Sequence, residues 1–404
     1  MNVHRLHAVL CAALLAGAAA GFDANAQAKG EGVRPEVGKP LQAAQALVKA
    51  RKGREAMAEI AKAEAVPNRT AYENQVIAQM KAAASSGSGD NDATIRNNTA
   101  LLDSGKASGR EALALVQGIA VAHYNKKEYG EAARWTQRYF KEGGNDPAMR
   151  SVLLQSYYLG NDCSSVNKML AGAGEERRAS EEELQILANC YLRQKDTGGY
   201  VNAIEKLVIH YPKKEYWTDL LSRVQKKPGF SDRLGVNVYR LRLATGNLSS
   251  TNDYLEMAQL ALQAGVPAEA RVIVDKGYDV KALGQGPEAA RHQRLRDLVM
   301  KDLAESQKTR ARDEAQALAA KDGNDLVKVG LNYVYEGNAD KGLALIEQGI
   351  KKGGLKRPDD AKLRLGEAQI YAGHKAKGVQ TLKTVQGADG TADIARLWIL
   401  NARA

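Results

Sequence analysis

Seven short stretches of the chain share one pattern. "ARKGREAMAEI", "NKKEYGEAARW", "LGNDCSSVNKML", "TGGYVNAIEKL", "QAGVPAEARVIV", "YEGNADKGLALI" and "YAGHKAKGVQTL" each carry a turn residue or polar pair, then a slim side chain opening an apolar-periodic segment. The slim positions are Ala56, Ala132, Val166, Ala203, Ala270, Gly342 and Gly378, with Thr94 in "SGDNDATIRN" as a weaker member. Their spacings are 38, 38, 34, 37 and 36 residues, with two longer intervals of 67 and 72 that each hold two units. A period in the mid-thirties with helix-turn-helix character marks a stacked array, because one hairpin cannot bury its apolar face alone and needs the next copy to cover it.

The residues inside a unit agree. Leu113, Val116, Ala120 and Tyr124 fall at helical spacing, Asn125 to Glu128 make a polar turn, and Ala132, Trp135 and Tyr139 follow at i, i+3 and i+7. A slim residue at the crossing lets two helix backbones approach, and the tyrosines before the turn fill the groove between them. The expected fold is all-α: a right-handed α-solenoid of about nine to ten hairpins. An N-terminal array over 41–228 continues into a C-terminal array over 229–404. Residues 27–40 are expected to be disordered. "AAASSGSGD" (82–90) is expected to be a flexible turn, and 287–320 one or two long charged helices with little apolar stripe after Leu303.

On these residues the chain resembles the tetratricopeptide repeat family, whose unit has an aromatic late in its first helix, a Gly-Asp/Asn-type turn and an alanine early in its second. Tyr124, Tyr129 and Ala132 match that unit, as do Tyr191, Tyr200 and Ala203, and Tyr335, Gly337 and Asn338. "TGG" (197–199) is an insertion, and 287–320 departs further. A narrower likeness rests on "HYPKKEYWTDLL", "DRLGVNVYRLRLATGNL" and "DYLEMAQLALQAGVPAEARVIVDKGY" in that order. This part is similar to exported tetratricopeptide proteins found beside TonB-type energy-transduction systems of Gram-negative bacteria. The resemblance implies a periplasmic scaffold for protein–protein interaction and an accessory place in such a system.

The N-terminus points the same way. Arg5 precedes an apolar run, Ala8 to Ala20, and Ala24-Asn25-Ala26 supplies small residues before Gln27. That is the form of a cleavable signal peptide over 1–26, and the run is short for a bilayer span. Cys11 lacks the small residues that a lipidation signal needs before its cysteine. After cleavage Cys163 and Cys190 remain, as one bridge or as two buried thiols. In a hairpin stack the start of one helix meets the end of the next, which brings these two sulfurs together.

Catalytic, metal and cofactor chemistry have no motif to rest on. His123 sits among Val116, Ile119 and Ala120 and reads as structural. His210, His292 and His374 belong to different units, and HExxH, paired CxxC and calcium-loop patterns are missing. "LGQGPEAA" shows a shortened Gly-rich fingerprint, but Pro287 makes it the loop before a helix. The net charge is +11, with basic residues crowding 213–242, 291–296 and 351–357. Export and the lack of a recognition module argue against nucleic acid. An anionic envelope polymer or lipid, held by a basic face on a cell-wall or outer-membrane assembly factor, is the second reading, beside a basic face that only aids solubility. The first reading places a protein or peptide partner on a concave surface, with Tyr157, Tyr158, Tyr191, Arg240 and Arg242 as candidate contacts.

Overall fold

A computed structural model describes residues 32–170 and 179–403. The expected signal segment, 1–26, lies outside them. The described residues form twenty α-helices and one 3-10 turn, with no strand among them. They divide into two compact units: residues up to 178 with 193–195, and 179–192 with 196–404. The expected junction at 228/229 falls inside the second unit.

The first unit holds α1 (Pro35–Lys49), α2 (Gly53–Glu64), α3 (Ala71–Ser88), α4 (Asn91–Asp103), α5 (Gly109–Asn125), α6 (Tyr129–Lys141), α7 (Pro147–Leu159) and α8 (Cys163–Leu170). Each packs on the next, and α1 also meets α3 as α5 meets α7, so one hairpin is layered on its neighbour. Pro35 and Pro147 open their helices where a missing N–H costs nothing. Helix α1 begins inside the 27–40 segment expected to be disordered, because Val37, Leu41 and Ala44 face the core and are buried.

The stretch at 82–90 differs from expectation. Helix α3 runs through it to Ser88 and ends at Gly89, whose φ of +76° suits only a glycine well. The Ser85 and Ser86 hydroxyls donate to the Ala82 carbonyl at 3.1 and 3.0 Å, and Ala82, Ala84 and Ser85 are buried. Packing overrides the low helix propensity of the serines and glycines. The same segment receives Gly53 of α2, where a Cβ would stand 2.5 Å from the Ala84 carbonyl oxygen.

The second unit holds α9 (Glu181–Arg193, all but its last residue), α10 (Thr197–His210), α11 (Lys214–Gln225), α12 (Gly235–Ala244), α13 (Thr251–Gln263), α14 (Pro267–Asp279), α15 (Ala289–Ala319), α16 (Asn324–Tyr335), α17 (Ala339–Lys352), α18 (Pro358–Tyr371), α19 (Lys375–Leu382) and α20 (Thr391–Asn401). Helix-on-next-helix packing recurs, and the charged stretch 287–320 becomes one helix of 31 residues. Its buried positions His292, Leu295, Val299, Leu303, Arg310 and Ala317 trace a single stripe that loses its large apolar members after Leu303.

The slim positions are buried crossings. Ala56, Ala132, Ala203 and Ala270 have no exposed surface. In the α16/α17 hairpin the crossing is tighter: Gly330 and Gly342 face each other, and a Cβ on Gly342 would lie 2.5 Å from the Gly330 carbonyl oxygen. Gly366 and Gly378 repeat the arrangement between α18 and α19.

In the second unit the sequence of neighbours also returns on itself. Helix α20 packs against α10 and α12 as well as α18 and α19. Lys227 pairs with Asp393 at 2.9 Å, Arg396 with Glu205 at 2.7 Å, and the Ser231 N–H donates to the Asp389 carbonyl at 3.0 Å.

Candidate functional site

Three buried charges stand where α12, α14, α18 and α20 meet. Arg240 donates to both oxygens of Glu269, each at 2.6 Å, and to Glu367 Oε2 at 2.9 Å. All three residues are at most 5% exposed. Glu367 also accepts from Asn237 Nδ2 and, at 2.9 Å, from Trp398 Nε1. Burial raises the Glu367 carboxyl above its usual range, against the pull of Arg240 and Asn237. Burial likewise works against the Arg240 cation, and the Glu269 carboxylate foremost outweighs it, leaving the guanidinium well above its usual pKa. Each Arg240 nitrogen and each oxygen of Glu269 and Glu367 has a partner inside the cluster, so it joins four helices and offers little to a ligand.

A cleft of about 550 Å³ lies beside it, walled by the second half of α15 and by the start of α14 and of α16. The fold builds it in two steps. Gly265 (φ +71°) turns the chain between α13 and α14, and Asn332 of α16 clamps that turn, donating to the Gly265 carbonyl at 3.0 Å. Opposite, Arg310 fixes α15: it is buried, bonds Glu336 at 2.7 Å and Ser306 Oγ at 3.0 Å, and lies over the Tyr333 ring. Tyr333 donates to Glu314 at 2.7 Å, which Lys341 also meets at 2.8 Å.

The cleft's remaining polar lining is acidic. Asp302, Glu305, Asp313 and Asp325 contribute carboxylates, of which Glu305 meets Lys308 at 3.6 Å and Asp313 meets Arg312 at 3.1 Å; the cations in the lining are Lys328 and an Arg310 already neutralised by Glu336. Asp313 is held below the usual carboxylate range, first by the Thr309 hydroxyl and then by Arg312 and Lys328, against the opposing effect of burial. Asp302 and Asp325 have no hydrogen bond or ion pair within the described residues. On a chain of net charge +11, Asp302 and Asp325 are thus a local pair of unpaired carboxylates.

The residues expected to meet a partner are not gathered there. Arg240 is closed inside the ion cluster, which removes it as a surface contact: a guanidinium bonded to two buried carboxylates has no face to offer. Arg242 pairs with Asp253 at 2.8 Å and covers the Tyr239 ring. Tyr157 is almost fully buried, and its hydroxyl accepts from Gln137. Tyr158 carries Arg193 over its ring at 4.3 Å. Tyr191 lies against Gly199, where no Cβ would fit. Cys163 and Cys190 are each disulfide-bonded.

His123 bonds Glu128 at 2.6 Å across the turn that follows α5. In "LGQGPEAA", Gly284 and Gly286 take positive φ, and the Gly284 N–H donates to His292 Nδ1 at 3.0 Å, so the glycines close a loop over the helix start. Among the described residues no cluster of three or more His, Cys, Asp or Glu is placed to hold a metal ion, and no helix is long and apolar enough to cross a membrane.

The acidic cleft had a faint trace in the sequence. Asp302, Glu305 and Asp313 lie in "KDLAESQKTRARDEAQ", where charged residues of both signs alternate and nothing marks which face is lined. Glu269 and Glu367 were more visible, each a lone carboxylate among small or apolar neighbours in "GVPAEARVIV" and "RLGEAQIY". No protein-family model matches the chain, and no curated protein matches it.

Proposed function

We propose that the chain is a non-enzymatic, tetratricopeptide-like scaffold of the cell envelope that grips a basic segment of a partner protein in the α15 cleft. The observation that carries this reading is a groove on a basic molecule in which Asp302 and Asp325 are unpaired beside Glu305 and Asp313, framed by Arg310 and Asn332. Its dimensions suit a few residues of extended peptide, and its donors and acceptors suit lysine, arginine and backbone amides. The wider setting rests on the resemblance to exported repeat proteins of TonB-type systems: a signal peptide, a periplasmic location and a partner in that apparatus. Disulfide-bonded Cys163 and Cys190 fit such a compartment, since disulfides persist where the surroundings oxidise.

Fluorescence anisotropy with labelled basic, neutral and acidic peptides tests the cleft. The basic peptides bind, and the double variant D302N/D325N weakens them about five-fold, as two partly exposed ion pairs lost would do. Raising salt from about 0.05 to 0.3 M weakens them further. Equal binding of acidic and basic peptides, or full affinity in the variant, overturns the reading.

A second reading is an envelope assembly factor that holds anionic polymer or lipid. The side chains of Lys351, Lys356 and Arg357 favour it, being exposed and without an ion-pair partner among the described residues.

A further inference from the structure

The loop between α17 and α18 closes a second, smaller cavity of about 180 Å³, lined by Asn324, Val327, Lys356, Arg357, Asp360 and Arg364 among others. Arg364 leaves the inner face of α18 one turn after Asp360 and one turn before Glu367. Its guanidinium has no hydrogen bond or ion pair within the described residues. Each nearby acceptor is already engaged. Asp360 receives Arg233 at 2.7 and 3.0 Å, Glu269 receives Arg240, and Glu367 receives Arg240, Asn237 and Trp398. Burial, and then repulsion from Arg240, hold the Arg364 pKa below its ordinary value, so the cation sits there at a cost that its surroundings only partly offset.

The rest of the pocket is built for the same sign. Gly353 and Gly354 take φ of +78° and +64°, which turns the loop back over α16. The Lys356 N–H then donates to Asn324 Oδ1 at 3.1 Å, fixing Lys356 and Arg357 at the rim. Asp322 lies close by, accepts from the Asn324 backbone at 2.9 Å and side chain at 2.7 Å, and is also drawn down by the charge of Lys356. Lys352 is turned away, donating to the Leu318 carbonyl at 2.7 Å. Asp360 is offset by Arg233, so the cations facing the cavity outnumber its free carboxylates.

We propose that this pocket binds a phosphate group, gripped by the guanidinium forks of Arg364 and Arg357 with Lys356 at the mouth. A phosphate fits better than a carboxylate because more than one cation is left without a countercharge, and because a fork delivers two parallel N–H donors to adjacent oxygens. The inference deepens the anionic-envelope reading by naming the group and the residues, and it is independent of the peptide cleft. The phosphate can be the free ion or the ester of a lipid headgroup.

Thermal melting of the full chain, in inorganic phosphate, glycerol 3-phosphate or chloride at equal ionic strength, decides it. At roughly 100 times the dissociation constant, phosphate raises the midpoint by about 5 °C over chloride. R364M loses the shift. Because Arg364 also balances the buried carboxylates, R357M is the second variant: it melts as the wild type does in chloride and loses most of the phosphate effect. A larger shift with glycerol 3-phosphate identifies an ester, and a larger shift with phosphate identifies the free ion; either supports the pocket. Equal midpoints in all three salts, or a shift that R357M retains, overturns it. Flotation with phosphatidylglycerol–phosphatidylcholine vesicles separates the two ideas: salt-sensitive binding that R357M leaves intact supports the wider basic face, and the phosphate shift in melting decides the pocket.

Discussion

The two units solve the same packing problem with different chemistry. In the first, hairpins are crossed by Ala56 and Ala132, the core residues Val37, Ile60, Val76, Val116 and Val152 are aliphatic, and contacts run between near neighbours in the chain. In the second, two hairpins are crossed glycine to glycine, and residues 127 to 194 apart are joined by ion pairs and hydrogen bonds. The lesson is about specificity. Apolar seams hold neighbours together without naming them, whereas a buried arginine with two carboxylates accepts only helices that deliver those partners.

That contrast breaks most sharply at Glu367. E367A leaves Arg240 half-paired in the interior and strands Asn237 and Trp398. Unfolding in urea should show the second unit destabilised by about 3–5 kcal/mol. Amide exchange along α10 and α20 should accelerate while that along α1 to α4 does not. Uniform loss of protection over both units would mean that the cluster has no special part in closing the second.

The crossings give the next effect. G342A places a Cβ against the Gly330 carbonyl, and despite alanine's better helix propensity it should cost about 1–3 kcal/mol. The reverse exchange, A132G, removes a buried methyl without relieving any clash, and should cost about 1 kcal/mol in the first unit. Thermal melts of the two variants make the comparison: a stabilising G342A would show that the two crossings are equivalent.

The smallest effect is confined to acid. Glu73 is held at a pKa of about 2, first by the Arg34 guanidinium, then by the Arg34 and Thr70 backbone N–H groups. A depressed carboxyl contributes stability that is complete above its ordinary value near 4.5 and is lost as the pH falls toward about 2. Exchange of α1 and α3 amides should therefore rise across that window in the wild type. E73Q should flatten the rise, and an unchanged profile in E73Q would assign it elsewhere.

Much of the local architecture was readable. The slim residues, the turn before Ala132, the burial of His123 and the helix-start loop at Gly284 follow from patterns spanning fewer than forty residues. The misreadings were of two kinds. Residues 82–90 look like a turn by composition, and become helix because Gly53 and the buried face of α3 pack there. Arg240 looks like a surface contact by its charge, and becomes an interior one because α14 and α18 bring Glu269 and Glu367 to it.

Periodicity along the chain therefore fixed which face of each helix is buried, since that depends only on the helix repeat and on which side chains avoid water. It also fixed where backbones cross closely, since only slim residues permit it. The return of α20, the pairing inside the cluster and the signs of the two cavities were decided by the tertiary structure. A charge carries no mark of the distant helix it will face, and the energy of burying it depends on that partner alone.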